Sequence, residues 1–247
     1  LKEPPLSRKT LLQDPFIRVN INLLKEWDQE VLTRHDKADL LIHRLALLAD
    51  MGIKVSDPGL KTIVSKVLKK KDNRGIFQIM IQIPKVFGGE DKPEWMWTMC
   101  DFPQILYALQ KMGAPEDAYA DALRELTCMV DENGYRCKSS KPRFKGPGPR
   151  TSICPYGNLL AAKALGINPS TRDTPAARKA VEALLHHWEV RKEKKYFLFG
   201  IGTDFKKLKF PLIWYNLLHV LYALSYYPAY YTDSRFQEMW ELNQPPQ

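Results

Sequence analysis

The sequence predicts an all-α fold built from repeated helix pairs, each an apolar inner helix followed by an amphipathic outer one. Three observations carry this reading. Apolar segments recur along the 247 residues, three of them closing on a glycine. A segment with an apolar stripe at helical spacing follows. A glycine–aromatic turn then repeats with the same period, as expected of a helical-repeat protein.

The apolar segments are residues 40–52 (LLIHRLALLADMG), 100–113 (CDFPQILYALQKMG), 154–166 (CPYGNLLAAKALG) and 214–225 (WYNLLHVLYALS), the last without a closing glycine. Gly52 and Gly113 stand 61 residues apart, and Gly113 and Gly166 stand 53 apart. Glycine is expected there as a left-handed helix end. The outer helices show single stripes: Leu60, Ile63, Val64 and Val67; Tyr119, Leu123, Leu126 and Val130; Ala177, Val181, Leu184 and Trp188. Each follows the 3.6-residue period of a helix with one buried face. Asp57-Pro58 and Thr174-Pro175 are expected to cap two of them. The turns KKDNRGIF and VDENGY put Gly75 and Gly134 59 residues apart, matching the helix-pair period.

Three segments fall outside the repeat. Residues 1–15 are Pro-rich and are expected to be extended, leaving 16–247 as a single domain. Residues 78–101 form a long connection whose IMIQI suits a short strand. Residues 138–150 (KSSKPRFKGPGPR) carry basic residues, prolines and glycines without an acid and are expected to be an exposed loop.

The net charge of +9 favours anionic partners without selecting one. The four cysteines, 100, 128, 137 and 154, form no C-x-x-C pair. A chain this long buries a core without disulfides, so reduced thiols and a cytoplasmic location are expected. The first residue is Leu, and the natural start is expected upstream. The most apolar run, 210–227, is short and interrupted for a membrane span and reads as a buried helix.

The order of inner helix, capped outer helix and D-x-x-G-aromatic turn resembles the repeat of squalene cyclases and protein prenyltransferase β-subunits. More specifically, CDFPQILYAL, GYRC, the pair GPGPR and CPYG, LFGIGTDFKKLKFP and WYNLLHVL resemble a prokaryotic branch of the terpene cyclase and prenyltransferase superfamily. The resemblance covers residues 16–243. It implies an α/α toroid, a barrel of inner helices inside a ring of outer ones, with a central cavity lined by the inner-helix starts. By repeat position those starts carry Asp39, Cys100 with Asp101, Cys154, and Tyr215. The D-x-D-D and D-D-x-x-D motifs of the cyclases are absent, and Asp131…Cys137 does not match the D-x-C of the prenyltransferases. A full toroid has five or six repeats and four are visible here, so either residues 16–28 supply an extra helix or the natural chain continues.

Cys100 and Cys154 occupy matching positions, Cys137 follows the Gly134 turn, and His219 lies on the fourth inner helix. Thiolates and an imidazole suit zinc; the competing reading is small buried side chains. His186 and His187, on an outer helix, are expected to face solvent. Arg143 and Arg150 lie just before an inner-helix start, a place suited to a phosphate or diphosphate; the competing reading is a solvated loop. The basic runs 191–195 and 206–209 bracket aromatics, yet nucleic acid is the weaker reading. Trp95, Trp97, Trp214, Tyr215 and Tyr222 would serve carbocations in a cyclase, but core packing is the simpler role. Two functions remain open. One is an isoprenoid or other amphiphilic anionic ligand in a central cavity, with the basic loop on its head group. The other is a non-catalytic interaction module presenting basic surfaces to a protein or anionic polymer. A side-chain-filled centre would favour the second.

Overall fold

The computed structural model describes residues 7–146, 148–149, 151–196 and 198–243. The chain is mainly α-helical. Two helices open it, α1 (Arg8–Gln13) and α2 (Pro15–Leu23). The expected extended start is therefore helical from residue 8. Ser7 accepts a hydrogen bond from the Thr10 amide and Asp14 from the Phe16 and Ile17 amides, so each short helix has its own side-chain cap.

Four helix pairs follow: α3 (Leu41–Asp50) with α4 (Leu60–Lys69), then, after strands β1 (Ile79–Gln82) and β2 (Pro93–Met96), α5 (Phe102–Lys111) with α6 (Ala120–Cys128). The third pair is α7 (Pro155–Gly166) with α9 (Pro175–Glu189), separated by the single turn α8 (Pro169–Arg172). After the short α10 (Thr203–Lys206), α11 (Leu217–Leu224) pairs with α12 (Ser234–Leu242).

The first helix of each pair is buried nearly all round, and every residue of α7 is buried. In chain order α3 packs on α5, α5 on α7 and α7 on α11. The second helices lie outside: α9 against α7, α6 against α5 and α7, α12 against α9 and α11. The expected stripes are the faces they bury, Leu60, Ile63, Val64 and Val67 on α4 and Ala177, Val181, Leu184 and Trp188 on α9. Each Leu, Ile or Val of these stripes contributes about 1.5–3 kcal/mol on leaving water.

The repeat is exact enough to set a register. Leu40, Asp101, Cys154 and Asn216 stand immediately before the four inner helices. Three residues on come His43, Gln104, Gly157 and His219. His43, Gln104 and His219 are buried polar residues, so one inward position repeats through the fold.

Two expected caps behave differently. Thr174 accepts the Ala177 amide at 3.3 Å as predicted, but Asp57 does not cap α4. Asp57 is buried and pairs with Arg8 and the Lys54 amide, and Gly59 at a φ of 87° enters the helix instead. Gly52 and Gly113 end their helices at positive φ, whereas Gly166 stays inside α7. Its need is space, because a Cβ there would stand 2.7 Å from the Tyr226 Cβ.

The 78–101 connection is a two-stranded antiparallel hairpin, Ile79 opposite Met96 and Gln82 opposite Pro93. Asp72, at the Gly75 turn, accepts the Trp97 indole N–H at 2.9 Å and anchors its exit. No helix among the described residues is long and apolar enough to cross a membrane.

The equivalent Gly134 turn touches α7. Gly134 has φ 117°, and a Cβ there would lie 2.5 Å from Asn158 Oδ1, the atom that accepts the Tyr135 amide at 2.9 Å. Replacing Gly134 by Ala is predicted to cost about 1–3 kcal/mol through that clash and the left-handed backbone, read as a lower urea midpoint at unchanged slope.

Candidate functional site

Between the outer helix α6 and the inner helix α7 the chain runs through residues 135–140 as an extended segment. On one side Arg136 bridges Ile153 and the Cys154 amide donates to the Tyr135 carbonyl at 2.8 Å. On the other the Met99 amide donates to the Lys138 carbonyl at 3.0 Å and the Ser140 amide to the Trp97 carbonyl at 3.1 Å. Three neighbouring pieces of backbone thus carry Cys100, Cys137 and Cys154.

Cys154 is buried at the start of α7, where its sulfur accepts the Gly157 amide at 3.3 Å. The neighbouring Cys100 and Cys137 side chains hold its thiol well below the usual range. Those two move the other way: the nearness of Cys154, with burial, pushes Cys100 and Cys137 up. Cys128 is exposed and apart from the cluster.

Beside the sulfurs lies a histidine that sequence reasoning missed. His35, in the loop before α3, pairs through Nε2 with Asp101 Oδ1 at 2.6 Å. Asp101 is 1% exposed, and its other oxygen accepts the Thr98 hydroxyl. Burial pulls the His35 ring down, but the Asp101 carboxylate and its hydrogen bond outweigh that and raise it overall. No repeat marks His35; its only sequence signal is the run leading to α3.

An open cleft of about 1040 Å³ rises from Cys137 and Cys154. Arg136, Lys138, Lys194 and Lys195 bring positive charge to it, and Phe144, Leu198 and Phe199 give it apolar wall. Lys138 leans on Asp131 at 2.9 Å, whereas Lys194 stacks over the Tyr196 ring at 4.7 Å. The 138–146 loop crosses the cluster so closely that a Cβ on Gly146 would lie 2.6 Å from the Cys137 sulfur.

The other expected residues are scattered. Asp39 is exposed on the loop before α3 and does not face the centre, because the first repeat places Leu40, not an acid, at the position of Asp101. Tyr215 Oη and His187 Nδ1 share a hydrogen bond of 2.7 Å, and Asn216 is the residue in register with Cys154. Arg143 is exposed and is absent from the cleft lining, its carbonyl packing close to Gly88. Arg150 lies outside the described residues. His219 is away from the sulfurs: Nδ1 bonds the Trp214 carbonyl at 2.9 Å and Nε2 accepts Lys163 Nζ at 3.2 Å. His186 is exposed, but His187 is fully buried against Tyr196 and Tyr215. Tyr196 and Phe205 turn inward, and Phe199 is half-buried in the cleft wall. Among the described residues no group of three or more Cys, His, Asp or Glu side chains is already set as a metal cage.

The centre is filled. Lys163 of α7, 1% exposed, sits 4.3 Å above the Tyr107 ring and reaches His219. His43 Nε2 donates to the His35 carbonyl at 2.9 Å, and its Nδ1 accepts Gln104 at 2.8 Å. The expected aromatic set is dispersed, with Trp97 against Phe102 and Tyr222 at the far end of the inner helices.

Burial brings both His43 and His187 down to about 4. The unfolded chain takes up these protons near 6.5 and the folded chain near 4, so stability is full above 6.5 and falls as pH drops through that window, by up to about 1.4 kcal/mol per pH unit for each ring. The raised His35 works against this. Urea midpoints are predicted to decline from pH 6.5 to 4.5, less steeply in His43→Gln; equal slopes would remove His43 from the effect.

Comparison of the chain with protein-family models, with curated proteins and with solved structures finds no match.

Proposed function

We propose that this chain is an α/α-toroid protein of the prenyltransferase and terpene-cyclase kind that binds an amphiphilic anion, of the isoprenoid diphosphate type, in the cleft above the cysteine cluster. The toroid reading is supported by the inner helices packing in chain order and by the last reaching back to the first, Tyr222 donating to Asp50 at 3.1 Å. The ligand reading is carried by one observation: the cleft joins four cationic side chains to an aromatic and aliphatic wall. Cations recognise a diphosphate by charge-assisted hydrogen bonds, and Phe144, Leu198 and Phe199 offer apolar surface to the tail. The ligand is assigned to this cleft and not to the ring's centre, because Lys163, His219 and Tyr107 fill that centre.

The filled centre also favours the second reading, a non-catalytic module presenting basic surface to a protein or anionic polymer. Calorimetry with farnesyl diphosphate, farnesol and inorganic diphosphate separates the two. Farnesyl diphosphate is predicted to bind more tightly than either fragment. The Lys194→Gln/Lys195→Gln variant is predicted to bind it at least tenfold more weakly, the loss expected for a hydrogen bond to a charged group. No binding of farnesyl diphosphate, or equal binding of farnesol, would contradict the cleft reading and leave the module.

A further inference from the structure

We propose that Cys100, Cys137, Cys154 and His35 are the four ligands of a structural zinc ion that pins the first three helix pairs together at the floor of the cleft. The inference is independent of what the cleft binds. Its first support is that three cysteines with no local motif are carried on neighbouring pieces of backbone. They arrive from the turn before α5, the extended segment 135–140 and the start of α7, held side by side by backbone hydrogen bonds. Binding the metal would form three S–Zn bonds and release the thiol protons to solvent.

The second support is the company His35 keeps. A zinc-bound imidazole characteristically gives its other ring nitrogen to a carboxylate, which fixes the tautomer and aims the ring. His35 gives Nε2 to Asp101, and Asp101 is in turn fixed by the Thr98 hydroxyl. That relay leaves Nδ1 for the metal. Thr98, Cys100 and Asp101 belong to one turn, so the carboxylate that orients the imidazole and one of the thiols are carried together. His219, the imidazole the repeat suggests, has both nitrogens occupied. Three thiolates and an imidazole are a donor set of zinc, not of magnesium or calcium. With four protein ligands the site is closed, which makes it structural.

The four groups are not yet gathered at metal distances, so the proposal requires the His35 loop and the sulfurs to draw in around the ion. Metal content of the purified chain, measured with a reductant present, is expected at one zinc per chain. Cobalt added to the metal-free chain is expected to give the intense thiolate charge-transfer and tetrahedral d–d bands of a site with three sulfur ligands and one nitrogen. Asp101→Asn is expected to weaken zinc about 10–100-fold while keeping the cobalt bands. His35→Gln and Cys137→Ser are expected to change the bands themselves, with circular dichroism checking that each variant folds. The wild-type titration needs no variant: if the reduced chain takes up neither zinc nor cobalt, the site is overturned. Wild-type cobalt bands and affinity in His35→Gln would overturn the assignment of the fourth ligand.

Discussion

The arrangement of the inner helices depends on Asp50. This carboxylate, at the last residue of α3, accepts the hydroxyls of Tyr107 on α5 and Tyr222 on α11. Lys163 of α7 lies over the rings of the same two tyrosines. One acid therefore addresses all four inner helices, directly or through the tyrosines. Burial drives Lys163 down to about 8, and the charge of Asp50 works against that fall. A lone buried cation is costly, whereas one beside a carboxylate and two aromatic faces is tolerated. Apolar packing alone would let the inner helices slide, because Leu and Ala contacts tolerate shifts that a hydrogen-bonded charge does not.

The two ends of the inner helices consequently differ. The C-terminal end is closed by the tyrosine and aspartate network. The N-terminal end carries the residues that precede each helix, Leu40, Asp101, Cys154 and Asn216, and the long segments between pairs meet there. Chemistry collects where the connections are long: the 78–101 hairpin delivers Cys100 and Asp101, the 129–153 segment delivers Cys137 and the cleft's basic wall, and the 190–200 segment delivers Lys194 and Lys195. The helices supply rigidity and the loops supply the thiols, cations and aromatics.

Much of this was legible in the sequence because a repeat reports itself twice. The four pairs, the IMIQI strand and the left-handed ends at Gly52 and Gly113 follow from local pattern and period. The placing of Cys100 and Cys154 at the starts of neighbouring inner helices was also readable, since the two are nearly in register. What failed were residues whose role is set by packing partners. Asp39 looked like the counterpart of Asp101, but the register falls one residue later, on Leu40. His219 looked like a ligand until Lys163, a lysine inside an otherwise apolar helix, took its ring. His186 and His187 both follow Leu185 on an outer helix and read as solvent-facing, yet one residue's rotation buries His187 against Tyr215. His35 lies in a loop without periodicity, and only the fold brings it to Asp101.

The most direct measurement of the central constraint is a double-mutant cycle between Asp50 and Tyr222, which stand on the first and last inner helices. Asp50→Asn, Tyr222→Phe and the double variant would be compared by urea unfolding. A closed arrangement predicts a coupling of about 0.5–3 kcal/mol, as for residues sharing one hydrogen-bond network. Additivity within about 0.3 kcal/mol would show that α11 does not reach α3 in solution and would contradict the closure on which the arrangement depends.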